Sequence, residues 1–239
     1  MTIMVEKLRV KLFADGADLS GMIEMNAIPY IQGLTTNPTL MRKAGIVDYK
    51  KFALDVLSEI KVKPISFEVF SDDLEEMKRQ GMEIASWGEN VYVKIPITNT
   101  FAKSTSEVIA YLANQGVKVN VTALMTIEQV QTVVEVLQPE IASYVSVFAG
   151  RIADTGRDPV PLMKEALEIL RINSNAELIW ASPRELLNVF QANEIGCQII
   201  TATNDILKKL NLVNKNLNDY SLETVKMFYN DAKAANFQL

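Results

Sequence analysis

The segment "VYVKIPIT" (residues 91–98) places a lysine in the middle of a short run that is typical of a β-strand. Side chains on a strand point alternately to its two faces, so the two valines and Ile95 share one face and Lys94 lies on the other. Lysine is among the residues that are least often buried without a partner. Lys94 therefore either lies in water on an edge strand or has a chemical role inside the protein.

Similar runs recur along the chain and alternate with segments of helical periodicity. The predicted strands span residues 10–14, 31–35, 65–70, 91–95, 117–122, 144–149, 177–181 and 198–201. Helices are predicted over residues 49–60, 74–87, 104–115, 126–137, 160–173 and 183–193. Strands that alternate with helices at a spacing of about thirty residues indicate parallel βαβ units.

This alternation predicts an α/β fold in which residues 1–239 form one single-domain (β/α)8 TIM barrel. The main alternative is an open, doubly wound parallel sheet. No Gly-x-Gly-x-x-Gly motif follows the first predicted strand, which weakens the dinucleotide-binding version of that alternative.

Helix ends are predicted from two capping boxes and from the pattern at the C-terminus. Thr126 begins a Thr-x-x-Gln pattern, and Ser182 begins a second box with proline at the first helical position. Residues 219–239 form an additional C-terminal helix whose apolar side chains lie near one face: Leu222, Val225, Phe228, Tyr229 and Ala232. We expect this helix to dock on the barrel or on a neighbouring subunit.

The composition removes several classes of function. The chain has no histidine, which excludes Ser-His-Asp and Cys-His catalysis, and its single cysteine, Cys197, argues against a zinc site and fits a reducing compartment. The net charge of −5 argues against nucleic-acid binding. The N-terminus is a poor signal peptide, and no apolar segment is long enough to cross a bilayer. We expect a cytoplasmic protein without nucleic-acid or membrane partners.

Polar side chains mark the ends of the predicted strands, where a parallel barrel builds its active site. In chain order they are Asp15, Thr35, Asn37, Glu68, Lys94, Asn120, Thr122, Ser146, Phe148 (the one apolar member), Arg151, Ser182 and Arg184. A purely structural barrel has no reason to collect two carboxylates, a lysine and two arginines around one opening. We therefore expect Lys94 to point into the barrel.

An interior lysine can act as a nucleophile. Desolvation disfavours its ammonium form, and the neutral amine can attack a ketone to give a Schiff base, which accepts electrons when a carbon–carbon bond breaks. Asp15 and Glu68 are the candidate acid/base groups, and Thr122 can hold a water molecule. Taken singly, Lys94 could be a salt-bridged lysine and each carboxylate an ordinary strand-end residue.

A second cluster, Arg151, Ser182 and Arg184, predicts an anion site. The arginine fork matches phosphate oxygens, and a helix that begins at Ser182 would add backbone N–H groups. An ordinary helix cap with exposed arginines is the structural alternative.

Five segments resemble, in order, the successive motifs of the transaldolase family. They are "LTTNPTL" (34–40), "VYVKIPIT" (91–98), "VNVTAL" (119–124), "VSVFAGRIADTG" (145–156) and "ASPR" (181–184), and they extend over nearly the whole chain. The chain length and the segment "DYSLETVKMFYNDA" (219–232) are similar to those of the small transaldolases and their fructose-6-phosphate aldolase relatives.

The resemblance implies a class I enzyme without a metal or an organic cofactor. Lys94 matches the Schiff-base lysine, Asp15 the acid/base aspartate, and Glu68 with Thr122 the pair that holds the catalytic water. The other matched positions bind substrate, with Asn37, Asn120 and Ser146 on the donor hydroxyls and Arg151, Ser182 and Arg184 on the phosphate. The implied reaction moves a dihydroxyacetone unit from a ketose phosphate, such as fructose 6-phosphate or sedoheptulose 7-phosphate, to an aldose phosphate.

The resemblance also bears on the alternatives. Aldolases of the group tend to carry glutamine where Glu68 stands and tyrosine where Phe148 stands, so this chain matches the transaldolases at both positions. Pro183 stands where the family is expected to carry phenylalanine or another large residue. The donor could therefore be a ketose with another anionic tail, such as a sulfonate. Fructose-6-phosphate aldolase-type cleavage and a non-catalytic barrel that binds sugar phosphates are the remaining alternatives. Small members of the family are often homo-oligomers, so we expect one here.

Overall fold

Eight parallel strands close into a barrel in the computed structural model, which describes residues 7–238. The strands are β1 (Lys11–Asp15), β2 (Ile31–Thr35), β3 (Ile65–Glu68), β4 (Val91–Pro96), β5 (Val119–Leu124), β6 (Ser143–Val147), β7 (Ala176–Trp180) and β8 (Ile199–Thr203). β8 pairs with both β7 and β1, which closes the sheet on itself. The predicted single-domain (β/α)8 TIM barrel is confirmed, and the open doubly wound sheet is wrong.

Helices surround the barrel and extend it at the C-terminus. They are α1 (Leu19–Ala27), α2 (Pro38–Lys43), α3 (Tyr49–Glu59), α4 (Leu74–Ala85), α5 (Ser106–Asn114), α6 (Ile127–Val134), α7 (Ala149–Asp154), α8 (Val160–Leu170), α9 (Leu187–Glu194), α10 (Asn204–Lys208) and α11 (Leu217–Ala234). The predicted strands agree with the observed ones to within two residues at either end.

The alternation of side chains along the strands separates two layers of core. Val93, Ile95 and Phe67 are fully buried between the strands and the helices. Inside the barrel, near the amino ends of the strands, the stacked rings of Tyr92 and Tyr144 lie 4.0 Å apart within a small cluster of apolar residues. Burying a large apolar side chain stabilises the fold by about 1.5–3 kcal/mol. The apolar cluster fills the barrel near the amino ends of the strands, and polar side chains line the cavity at the carboxyl ends.

Gly33 is required by this inner cluster. A Cβ atom at position 33 would lie 2.4 Å from the ring of Phe13, on the neighbouring strand. The absence of a side chain on β2 therefore makes room for the Phe13 ring inside the barrel.

One of the two predicted capping boxes is present. Thr126 Oγ1 accepts a hydrogen bond from the backbone N–H of Gln129 at 3.3 Å, and the Gln129 side chain accepts one from the backbone N–H of Thr126. This pair begins α6 as the sequence predicts.

The capping box predicted at Ser182 is wrong, and so is the start of the helix predicted at 183. Ser182 has a φ of +59°, and α9 begins only at Leu187, without a side-chain cap. An N-cap residue has an extended backbone, so the left-handed backbone of Ser182 is incompatible with that role. The side chain of Asn188 instead accepts a hydrogen bond from the backbone N–H of Arg184 at 2.8 Å.

The C-terminal helix, α11, buries none of its side chains. Its apolar residues Leu222, Val225, Phe228 and Tyr229 are between 52% and 66% exposed. Docking on the chain's own barrel is therefore wrong, while docking on a neighbouring subunit stays a prediction. Within residues 7–238, no helix has both the length and the apolar character needed to cross a membrane.

Candidate active site

A cavity of about 530 Å³ opens at the carboxyl ends of the strands. Of the site residues predicted from the sequence, those that line it are Asp15, Thr35, Asn37, Glu68, Lys94, Thr122, Ser146, Phe148, Arg151, Ser182 and Arg184. They come from the six strands β1 to β6 and from the segments that follow β2, β6 and β7, because strand ends converge at the mouth of a closed parallel barrel. The fold thus brings together groups that lie far apart in the sequence.

Lys94 lies in the floor of this cavity with only 6% of its surface exposed. Its Nζ donates a hydrogen bond to the backbone carbonyl of Thr36 at 2.9 Å and lies 3.2 Å from Oε2 of Glu68. The register of β3 and β4 places Glu68 opposite Lys94, so both side chains point into the barrel. The alternative of a solvated lysine on an edge strand is therefore wrong.

Asp15 ends β1 and is held from two sides. The Thr35 hydroxyl donates to its Oδ1 at 2.8 Å, and the Asn37 amide donates to its Oδ2 at 3.2 Å. Burial raises the pKa of the Asp15 carboxyl above 3.8, although the charge of Lys94 and the two hydrogen bonds act in the opposite direction. Asp15 therefore holds a proton at higher pH than a solvated aspartate would, as a general acid/base requires.

Thr122 and Asn120 follow each other on the inward face of β5 but have different surroundings. The buried hydroxyl of Thr122 has no hydrogen-bond partner within residues 7–238. Asn120 does not line the cavity, because its amide donates to Ser66 at 2.9 Å and accepts from the Ser146 hydroxyl at 2.7 Å. The structure thus places Asn120 beneath the cavity, where it orients Ser146, while Thr122 and Ser146 reach the surface of the cavity.

The two arginines lie on the side of the cavity formed by the loops after β6 and β7. Arg151 lies on α7 with its guanidinium 5.8 Å from the centre of the Phe148 ring. Nη1 of Arg184 donates to the Ser182 hydroxyl at 3.0 Å. Two cations and a hydroxyl therefore face the same cavity as Lys94, which suits an anionic group on a ligand.

Sequence reasoning missed several groups around this cavity. Thr201 lines it and its hydroxyl lies 2.5 Å from that of Thr35, a position that the alternation along β8 could have indicated. Lys43, at the end of α2, also lines the cavity. Asp154, at the end of α7, forms an ion pair with Arg184 in the loop after β7, a contact for which the sequence carries no signal.

Pro183 is buried and is not among the residues that line the cavity. Its influence on a ligand therefore acts through the backbone of its neighbours, Ser182 and Arg184.

Comparison with known proteins agrees with the geometry. The family "Transaldolase/Fructose-6-phosphate aldolase" matches residues 12–239. A probable transaldolase from Sulfurihydrogenibium sp. (strain YO3AOP1) is 34% identical over 202 residues, which cover 84% of this chain and 88% of that protein. A probable transaldolase from Thermoanaerobacter sp. (strain X514) is 33% identical over 218 residues, which cover 91% and 95% of the two chains.

Solved structures share the architecture at low identity. An HpcH/HpaI aldolase/citrate lyase family protein from Burkholderia cenocepacia has a TM-score of 0.58 at 12% identity, with 92% of this chain and 100% of that chain covered. KGPDC from Streptococcus mutans has a TM-score of 0.59 at 11% identity, with 84% and 90% covered. These likenesses support the barrel fold alone. The sequence match over residues 12–239 shows more: the chain belongs to the transaldolase/fructose-6-phosphate aldolase family of enzymes.

Proposed function

We propose that this protein is a transaldolase that transfers a dihydroxyacetone unit from a ketose phosphate to an aldose phosphate through a Schiff base on Lys94. The observation that carries the proposal is the buried amine of Lys94, 3.2 Å from the Glu68 carboxylate in a cavity that also holds Asp15. The candidate donors are fructose 6-phosphate and sedoheptulose 7-phosphate. Arg151 and Arg184 support an anionic tail on the substrate.

The first step is attack of the neutral amine of Lys94 on the C2 carbonyl of the ketose. Glu68 is close enough to take a proton from the ammonium group, directly or through a water molecule. Loss of water from the resulting carbinolamine gives the iminium. The buried hydroxyl of Thr122, which lines the same cavity as Glu68, supports a water position there.

Carbon–carbon cleavage then needs a base at the C4 hydroxyl of the donor. In the proposed step the Asp15 carboxylate takes that proton, the C3–C4 bond breaks, and its electron pair moves to the iminium nitrogen to form an enamine. The aldose leaves with a new aldehyde at its former C4. The enamine carbon then attacks the acceptor aldehyde, Asp15 returns the proton to the new hydroxyl, and hydrolysis releases the new ketose.

Transfer, rather than release of dihydroxyacetone, is supported by Phe148. Its ring lines the cavity and carries no hydroxyl that could deliver a proton or a water molecule to the enamine. The three-carbon unit is therefore hydrolysed slowly and stays on Lys94, as an enamine in equilibrium with its iminium, until an acceptor aldehyde arrives.

The experiment is borohydride reduction in the presence of fructose 6-phosphate without an acceptor, followed by intact mass and peptide mapping. We expect a mass gain equal to a reduced dihydroxyacetone adduct on the peptide that contains Lys94. Lys94→Met should show no gain, whereas Lys164→Met, which changes an exposed lysine on α8, should be labelled like the parent protein. An adduct on another lysine, or no adduct with fructose 6-phosphate and none when the experiment is repeated with sedoheptulose 7-phosphate, would contradict the proposal.

We also propose that the protein is a homo-oligomer in which the apolar face of α11 packs against a second copy of the chain. Leu222, Val225, Phe228 and Tyr229 recur at helical spacing, and each is more than half exposed. A stripe of large apolar side chains on an otherwise polar helix marks an interaction surface.

A further inference from the structure

A carboxylate that does not itself line the cavity binds Arg184, on the anion side of the cavity formed by Arg151, Ser182 and Arg184. Asp154, the last residue of α7, accepts hydrogen bonds from Nε of Arg184 at 2.8 Å and from Nη2 of the same guanidinium. The contact is bidentate, with two parallel N–H groups directed at one carboxylate, which fixes the plane of the guanidinium as well as its position. Asp154 and Arg184 are thirty residues apart in sequence.

The remaining donors of Arg184 are limited in number and direction. A guanidinium has five N–H groups. Asp154 takes two of them and the Ser182 hydroxyl takes a third, from Nη1. One N–H on each terminal nitrogen is left, and Arg184 lines the cavity. Asp154 thus binds the side of the guanidinium formed by Nε and Nη2. One free N–H group remains on each of Nη1 and Nη2 to bind a ligand.

The backbone explains why Asp154 reaches Arg184. A Cβ atom on Gly150 would lie 1.6 Å from the carbonyl oxygen of Ser182, so α7 approaches the loop after β7 as closely as a glycine allows. Gly150 and Asp154 are four residues apart and therefore lie on the same face of α7. Ser182, in the loop after β7, has a left-handed backbone with φ of +59°, and its carbonyl oxygen lies against the face of α7 that carries Gly150.

The charges around Asp154 also favour its contact with Arg184. Hydrogen bonding to Arg184 lowers the pKa of Asp154, and the positive charge of Arg151 acts in the same direction, so Asp154 is ionised between the two arginines. Two cations that face one cavity repel each other, and a carboxylate beside both reduces that repulsion. The pair is about half exposed, at 44% for Arg184 and 51% for Asp154, so its contribution to the stability of the fold is small.

We propose that Asp154 is a positioning residue for the anion subsite: it holds the guanidinium of Arg184 in the orientation that binds the charged tail of the substrate. The inference rests on the proposed function, because it takes Arg184 as an anion-binding group. Removing a negative charge next to an anion site would by itself strengthen anion binding. Positioning has the opposite sign, because an Arg184 side chain that is free to rotate binds less well.

The test compares Asp154→Asn with the parent protein in three assays. The KM for fructose 6-phosphate and the inhibition constant of inorganic phosphate should each rise roughly tenfold, the size expected from one charge-assisted hydrogen bond. Borohydride trapping of dihydroxyacetone on Lys94 should be unchanged, since that small donor is uncharged. An unchanged or lower inhibition constant for phosphate would overturn the proposal.

A double-mutant cycle separates positioning from a general structural effect. In an Arg184→Gln background, Asp154→Asn should have no further effect on the KM for fructose 6-phosphate, because the residue acts through Arg184. An additive loss in that background would overturn the proposal. Failure of the parent protein to trap dihydroxyacetone on Lys94 would instead contradict the proposed function, so the two failures are distinguishable.

Discussion

Glu68 and Lys94 stand opposite each other on neighbouring strands, and the carboxylate oxygen Oε2 lies 3.2 Å from the amine nitrogen. The same amine donates to the carbonyl of Thr36, which belongs to the loop after β2. Three successive parts of the barrel therefore fix one nitrogen atom. In the proposed mechanism, an amine held in this way would attack the carbonyl along one direction, which is what a stereospecific carbon–carbon cleavage requires.

Replacing Lys94 with methionine should abolish transfer while the barrel stays folded. The thioether occupies similar volume but cannot form a Schiff base, so we expect the rate to fall by roughly three orders of magnitude or more. The rate is measured with fructose 6-phosphate and erythrose 4-phosphate, and far-UV circular dichroism reports the fold. Substantial turnover in a folded variant would mean that another group is the nucleophile.

The raised pKa of Asp15 predicts the acid side of the pH–rate profile. Asp15 must be ionised to accept the proton of the donor's C4 hydroxyl, so kcat/KM should fall as the pH falls through the pKa of the folded protein. Because burial places that pKa above 3.8, activity should be lost at a higher pH than for a solvated aspartate.

The check is kcat/KM for fructose 6-phosphate between about pH 3 and pH 8, with enzyme stability verified at each pH. Asp15→Asn should remove most of the activity at every pH, since an amide cannot accept the proton. An acid limb centred at or below 3.8 in the parent protein would show that Asp15 is not the group that titrates.

Much of this site could be predicted from the sequence because it depends on strands. A period of two fixes which residues of β3, β4 and β5 face inward, and parallel strand ends must converge, so Glu68, Lys94 and Thr122 follow from pattern alone. The depth of Asn120 did not follow, because only the packing of Ser66 and Ser146 around its amide shows that it lies beneath the cavity.

The loops could not be predicted in the same way. The Ser-x-x-Glu pattern at Ser182 is a capping signal, but the left-handed backbone of Ser182 and the close approach of Gly150 override it. The ion pair between Asp154 and Arg184 joins the end of α7 to the loop after β7, and these come together only when the barrel closes. Ion pairs between distant segments depend on tertiary structure, so they cannot be predicted from local sequence.

Phe148→Tyr should increase the release of free dihydroxyacetone. The new hydroxyl would enter the cavity near the enamine and could deliver the proton or water that releases the three-carbon unit. The measurement is the ratio of free dihydroxyacetone to transfer product at saturating fructose 6-phosphate. Phe148→Leu is the matched control, since it changes the ring without adding a hydroxyl and should leave this ratio unchanged. An equal ratio in all three proteins would count against this role for position 148.

Gly150→Ala should damage the anion side of the cavity. The new Cβ would overlap the Ser182 carbonyl, a backbone atom that can move only with its whole loop, so we expect a loss of stability of roughly 2 kcal/mol or more. The KM for fructose 6-phosphate should rise as well, because Ser182 and Arg184 move together. Thermal unfolding and steady-state kinetics measure the two effects.

Gly45→Ala is the control for this substitution. Gly45 has a φ of +72° but no atom within 4 Å of a Cβ at that position, so alanine there costs only the backbone strain, about 1–2 kcal/mol. Its KM for fructose 6-phosphate should equal that of the parent protein. A similar KM in the Gly150 variant would show that the close approach of α7 does not support substrate binding.

The apolar face of α11 should control the oligomeric state. Phe228→Glu places a charge in the middle of the stripe that includes Leu222 and Val225, and a buried, unpaired charge at an interface is costly. Sedimentation velocity at micromolar concentration should show an oligomer for the parent protein and a smaller species for the variant. Met227→Glu tests the other side of the same helix, where Met227 is also half exposed, and should leave the oligomer intact. A parent protein that sediments as a monomer, or two variants that behave alike, would mean that this face does not bind a second copy.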